Sequence, residues 1–215
     1  MKLYHSFGMN PRLMRMFLNE KKLNLDLVPV DILKGENRRS PYTEKNPMGQ
    51  TPLLELDDGT FVSETGAICE YLEELHPTPS LIGSTPKDRA ITRMWWRRIE
   101  INICVPMVQA FYYKEGYDIF KDRVVCLPEA ADGMKRKAQE ALKWLNEVLS
   151  ERLYLCGDRF SIADICLFTY VDQLSTAGQP IDPSLRNFVK WHERVSARPS
   201  AGASLWPEQP MGMRG

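Results

Sequence analysis

The chain has no excess of either charge: 28 Lys and Arg stand against 28 Asp and Glu. A balanced surface offers a polyanion no long-range attraction, so nucleic acid is not an expected partner. No apolar run approaches the roughly 20 residues that span a bilayer, so no membrane partner is expected either. The opening "MKLYHSFGMNPR" has a single Lys and no long apolar stretch. It does not read as a secretory signal, and a cytoplasmic location is the expectation. Histidine is scarce, with only His5, His76 and His192, far apart in sequence. The five cysteines (Cys69, Cys104, Cys126, Cys156 and Cys166) are odd in number and form no CxxC. A disulfide framework and a zinc site are both disfavoured, and no metal is expected. Most of these thiols sit in apolar strings such as "AICEYL" and "ADICLF", where cysteine serves as a small core residue.

What is present divides the chain in two. "KLYHS" and "LDLVPVDIL" have strand character, and Pro29 confines the second to an edge or a bulge. Between them "PRLMRMFLNEKKL" spaces Leu13, Met16 and Phe17 as one helical face, with Asn10 as candidate cap and Pro11 in the first turn. "PLLEL" and "TFVS" flank "DDG", a hairpin signature, and "SETGAICEYLEELHP" follows as a helix with Ala67, Ile68, Tyr71, Leu72 and Leu75 as its apolar stripe. After the Pro- and Ser-rich "TPSLIGSTPKDRA" every segment has a helical period and none pairs as strands. The expected class is α+β: residues 1–78 as an α/β module, 79–88 as linker, 89–205 as an all-helical domain and 206–215 as a tail.

The stretch "GQTPLLELDDGTFVSETGAICEYLEE" holds the chemistry. Pro52 at a strand entry is either a simple boundary marker or the second residue of a cis Thr51–Pro52 bond. The cis form would leave the Thr51 backbone free to pair with an extended peptide. Glu64-Thr65 reads either as helix capping or as a cradle for an amino-acid head group, the carboxylate on the helix terminus and the ammonium on Glu64. The residues alone leave both pairs of alternatives open.

The longer string "NPMGQTPLLELDDGTFVSETGAICEYLEE" resembles the glutathione-binding module of the cytosolic glutathione transferases, which has a thioredoxin-like fold. "RLYLCGDRFSIADICLF" resembles the capping signature of that family's helical domain. The resemblance covers residues 1–205 and implies a glutathione site. Glu64 and Thr65 would hold the γ-glutamyl group, and Thr51 before Pro52 the cysteinyl unit. Gln50, with Asn37 and Lys34, would meet the glycyl carboxylate. It further implies glutathione as substrate, a hydrophobic electrophile as second substrate, a homodimer, and a role in detoxification. Phe111, Tyr112 and Tyr113 would line the electrophile pocket, although an aromatic cluster on a helix also reads as core.

One position departs from the family. Where a Tyr, Ser or Cys usually meets the glutathione thiol, this chain has Gly8. That and "FGMNPRLMRMFL" are similar to a yeast-type branch without the usual residue, in which a helix N-terminus and a water stabilise the thiolate. Asn10 and, as fallback, Ser6 are then the candidate catalytic residues. Asn10 as a plain cap remains an equal alternative. Glutathione-dependent disulfide or peroxide reduction, and a non-catalytic binding module, are the competing functions.

Overall fold

The computed structural model describes residues 1–207. The described residues form two compact units, Met1–Ser80 with residues 199–207, and Leu81–Arg198.

The first unit opens with β1 (Lys2–His5), α1 (Met9–Lys21) and β2 (Asp26–Pro29). A 3-10 turn (Glu36–Arg38) and the short α2 (Tyr42–Lys45) lead to β3 (Leu53–Glu55), β4 (Phe61–Ser63) and α3 (Thr65–Leu75). The sheet order is β2-β1-β3-β4; β1 and β2 run parallel, and β3 pairs antiparallel with β1 and β4. Pro29, which has no N–H to give a second neighbour, lies on the edge strand as its chemistry requires. Leu3, Leu53 and Leu54 of the sheet are buried with Leu13, Met16 and Phe17 of α1 and Ile68 and Leu72 of α3. This is the expected thioredoxin-like architecture.

Two details differ from the sequence reading. The buried stripe of α3 is Ile68, Cys69, Leu72 and Glu73, while Ala67 and Leu75 are exposed. The stripe is rotated because Glu73 has a buried cation to meet. The Nζ of Lys21, in the last turn of α1, lies 2.5 Å from Glu73 Oε2, and both side chains are almost fully enclosed. The same ammonium donates to the carbonyls of His76 at 2.5 Å and Pro79 at 2.7 Å. One cation thus ties the C-terminal end of α1 to that of α3. Secondly, α1 is buried on every side from Pro11 to Leu18, Arg12 and Arg15 included. Its outer side packs against α10 (Pro199–Ala203), so the chain from Pro199 belongs with the first unit, whereas the sequence grouped 199–205 with the helices.

The second unit holds α4 (Pro86–Ile99), a π-helical turn (Glu100–Cys104), α5 (Val105–Tyr113), α6 (Tyr117–Phe120), α7 (Ala131–Val148), α8 (Ile162–Ser175) and α9 (Arg186–Ser196). Ser161 and Asp164 form a capping box at the start of α8. Asp164 is wholly buried and accepts from Leu155 N–H at 2.9 Å, Ser161 N–H at 3.0 Å, Ser161 Oγ at 2.9 Å and Trp191 Nε1 at 3.0 Å. Among the described residues no helix is long and apolar enough to cross a membrane.

Lys21→Met is expected to lower stability by about 3–5 kcal/mol, because the buried Glu73 carboxylate loses its counter-charge. The double variant Lys21→Met/Glu73→Leu should recover most of that loss in a urea titration. Equal destabilisation of the two would mean that the carbonyl contacts of Lys21, not the ion pair, carry the effect.

Candidate functional site

Strand register assembles the site. Tyr4 pairs with Leu53 and Leu53 with Ser63. Counting past those pairs brings His5 and Ser6 beside Pro52 and Thr51, and Pro52 beside Glu64, in one row at the end of the sheet. The Thr51–Pro52 peptide is cis, and the β1–β3 ladder stops at Leu53, short of Thr51.

Two helices begin at this row. The N-cap of α1 is Gly8, at φ 125 and with no side-chain capping bond. This corrects the expectation that Asn10 caps the helix: Asn10 lies within the first turn, between Met9 and Pro11. A positive φ favours glycine, so the backbone itself disfavours a hydroxyl-bearing residue at position 8. The N-cap of α3 is Glu64, at φ 68, a conformation uncommon for a residue with a Cβ. Its side chain makes no capping bond and is exposed, and Thr65 is the first helical residue. The cap expected at Ser63 or Thr65 is therefore at neither: Ser63 ends β4 and Thr65 is already helical. Each helix brings first-turn N–H groups and the positive end of its dipole to the row, an arrangement that favours an anion.

Ser6 is fully buried. Its Oγ lies 2.6 Å from Thr51 Oγ1 and 2.9 Å from the Phe7 carbonyl, which it can donate to. The hydroxyl clamps the end of β1 to the cis-proline turn. The Tyr4 hydroxyl donates to Glu55 at 2.6 Å and accepts from Lys45, so it belongs to the sheet. Beside Ser6, the His5 ring has its Nδ1 3.4 Å from Arg15 Nη1. Burial, with the Arg15 charge adding to it, pushes His5 down to about 4.

The loop before Thr51 is held from below. Asn37 donates through Nδ2 to the Gly49 carbonyl at 2.6 Å, while its buried Oδ1 has no protein partner. Gly49 has φ 59, and a Cβ there would come within 2.7 Å of the Asn37 carbonyl, so only glycine permits this approach. The Gln50 carbonyl accepts from Tyr42 OH at 2.6 Å and from Asn46 Nδ2 at 2.8 Å. Burial pushes the Tyr42 phenol up, which keeps it a donor. Tyr42 escaped the sequence reading; its only signal was an aromatic inside the loop "SPYTEK". Lys34 is not brought to this group: its ammonium is largely exposed and pairs with Asp31 at 3.2 Å.

Phe111, Tyr112 and Tyr113 lie on α5 in the helical unit. Phe111 and Tyr113 are buried there as core residues, while Tyr112 is half-buried with its ring 4.1 Å from that of Phe120. Cys69 is likewise core, with Sγ 3.4 Å from Met14 Sδ.

Comparison with known proteins identifies the family. The family models "Glutathione S-transferase, N-terminal domain" and "Glutathione S-transferase, C-terminal domain" match residues 3–80 and 127–199. Glutathione S-transferase 2 of Saccharomyces cerevisiae is 30% identical, over 90% of this chain and 84% of its own. The crystal structure of Gtt2 from the same yeast superposes with a TM-score of 0.87 at 29% identity, covering 95% of this chain and 100% of that one. The disulfide-bond oxidoreductase YfcG of Escherichia coli is 28% identical, over 96% of this chain and 95% of its own. The chain belongs to the glutathione S-transferase family and is an enzyme of that family, with its likeness to the yeast-type branch evident in both yeast comparisons.

Two outcomes are expected. Gly8→Ser should lose about 1–3 kcal/mol to backbone strain without raising activity with glutathione. A gain in kcat/KM would show that the turn relaxes to accept the hydroxyl. His5, neutral when folded, takes up a proton on unfolding between pH 6.5 and about 4. Stability should therefore fall as pH drops through that window, by roughly 3 kcal/mol, and His5→Asn should flatten the slope of thermal stability against pH.

Proposed function

We propose that this enzyme binds glutathione along the row from Glu64 to Ser6 and transfers its sulfur to a hydrophobic electrophile. The observation that carries the reading is the convergence of two helix N-termini without side-chain caps on one cis-proline turn. Glu64 takes the γ-glutamyl ammonium, and Thr65 with the first N–H groups of α3 takes its carboxylate. The Thr51 backbone pairs with the cysteinyl unit beside Pro52. Gln50 meets the glycyl carboxylate, with Asn37 fixing its loop and Lys34 a distant contributor of positive charge.

The thiol is placed at the start of α1. There the N–H groups of Met9 and Asn10, with a water, favour the thiolate, since Pro11 has no N–H to give. The thiol proton leaves to solvent, the thiolate forms the new carbon–sulfur bond, and the leaving group departs with its electron pair. Ser6 acts by holding Thr51, and its hydroxyl is already engaged. Tyr112, the half-buried member of its trio, is the candidate wall for the electrophile. The enzyme works in the cytoplasm, as a homodimer, in detoxification.

A second reading, glutathione-dependent disulfide reduction, draws on the likeness to YfcG. A hydroxyethyl disulfide assay beside a conjugation assay separates the two.

Glu64→Ala should weaken glutathione binding about 10- to 100-fold through loss of a charge-assisted pair, and leave the thermal unfolding temperature unchanged. Titration calorimetry reads the first and a melting curve the second. Unchanged affinity would remove the head group from α3 and the proposed site with it.

A further inference from the structure

Residues 199–206 of the first unit reach the thiol-holding turn chiefly through Arg15. Arg15, buried on the second turn of α1, donates through Nε to the Ser204 carbonyl at 2.8 Å and through Nη1 to the Ser6 carbonyl at 2.9 Å. Its guanidinium stands 5.1 Å from the centre of the Trp206 ring. The Trp206 ring meets His5 edge-on at 5.1 Å. Arg12 adds a bond from Nε to Ser204 Oγ at 3.2 Å, and Ser204 Oγ donates to Ala201 at 2.7 Å, so the segment that presents Trp206 is itself fixed.

A structural anchor would need only Ser204. The geometry does more, because Arg15 holds the Ser6 carbonyl and Ser6 Oγ in turn reaches the Phe7 carbonyl at 2.9 Å, just where the chain swings through Gly8 into α1. The direction of the Met9 and Asn10 N–H groups follows from where the Ser6 carbonyl is held. Arg15 also sets a charge behind the turn in surroundings that hydrate it poorly: burial, then the neighbouring Arg12, brings it down to about 10. It remains a cation at neutral pH, on the side that favours a thiolate.

We infer that Arg15, clamped by Ser204 and Trp206, is a positioning residue for the glutathione thiol, so that the C-terminal segment completes the thiol subsite of the first unit. The inference rests on the site proposed above.

The test is the ultraviolet thiolate signal of glutathione bound to the full-length protein, followed against pH. It is measured for the parent, Trp206→Ala, Trp206→Phe and Arg15→Gln, alongside the affinity of each for S-methylglutathione, which has no thiol to ionise. In Trp206→Ala the thiolate midpoint should rise by about one pH unit and kcat/KM at neutral pH should fall about tenfold, while S-methylglutathione affinity stays within about twofold. Trp206→Phe, which keeps an aromatic face for Arg15, should restore the parent midpoint. Arg15→Gln should shift it at least as far as Trp206→Ala; should that variant not fold, the Trp206 pair decides alone. A midpoint unmoved in Trp206→Ala, or a loss of S-methylglutathione affinity in step with the thiolate, overturns the inference while leaving the transferase site standing. No thiolate in the parent overturns both.

Discussion

The architecture hangs on one buried ammonium. Lys21 Nζ meets the Glu73 carboxylate and two carbonyls just past α3, and so pins the C-terminal ends of α1 and α3 to each other. Helices are stiff, so this pin, together with the packing of α3 on α1, β3 and β4, sets the separation of their other ends. Those ends are Gly8 and Glu64, where the sheet row begins and finishes. Desolvating such a pair is costly, and an apolar pair of the same shape would be at least as stable. Its use here is directional: an apolar contact lets two helices slide, while an ammonium with three named acceptors does not.

Between those helices the spacing of the candidate binding groups is set by strand register. Ser6, Thr51, Pro52 and Glu64 are far apart in sequence and adjacent in space because β1, β3 and β4 pair without a bulge from Lys2↔Glu55 to Leu53↔Ser63. A side-chain period of two means that a one-residue slip would turn the whole row over. The loop leading to Gln50 has no such ladder. It takes its shape from Asn37, Asn46 and Tyr42, each spending a hydrogen bond on a carbonyl of residues 49 or 50.

Much of this was legible in the sequence, and the reasons for the rest are specific. Strand alternation, the "DDG" turn and the helical period of 65–75 gave the sheet and α3, because local pattern and tertiary outcome agree there. Glu64, Thr65, Thr51 and Pro52 could be named because their motif is contiguous. The cap of α1 was misassigned because Asn10-Pro11 is a strong local signal, and only the φ of Gly8 reveals that the helix starts earlier. Nothing in the local sequence marks Arg12, Arg15 and Lys21 as buried. Their burial depends on partners at positions 73, 76, 79 and 204, which no window around α1 contains. Phe111 and Tyr113 had the composition of a pocket wall and the burial of a core, and composition cannot tell the two apart.

The packing of residues 199–206 over α1 also has a consequence in time. A ribosome delivers β1 to α3 before the second unit and the residues around Ser204 and Trp206 after it, so the first unit must wait until the second has been made. Until then Arg12 and Arg15 lack their Ser204 partners, while the helices of the second unit already have all of their own sequence. Of the two units, the one begun first is the one completed second.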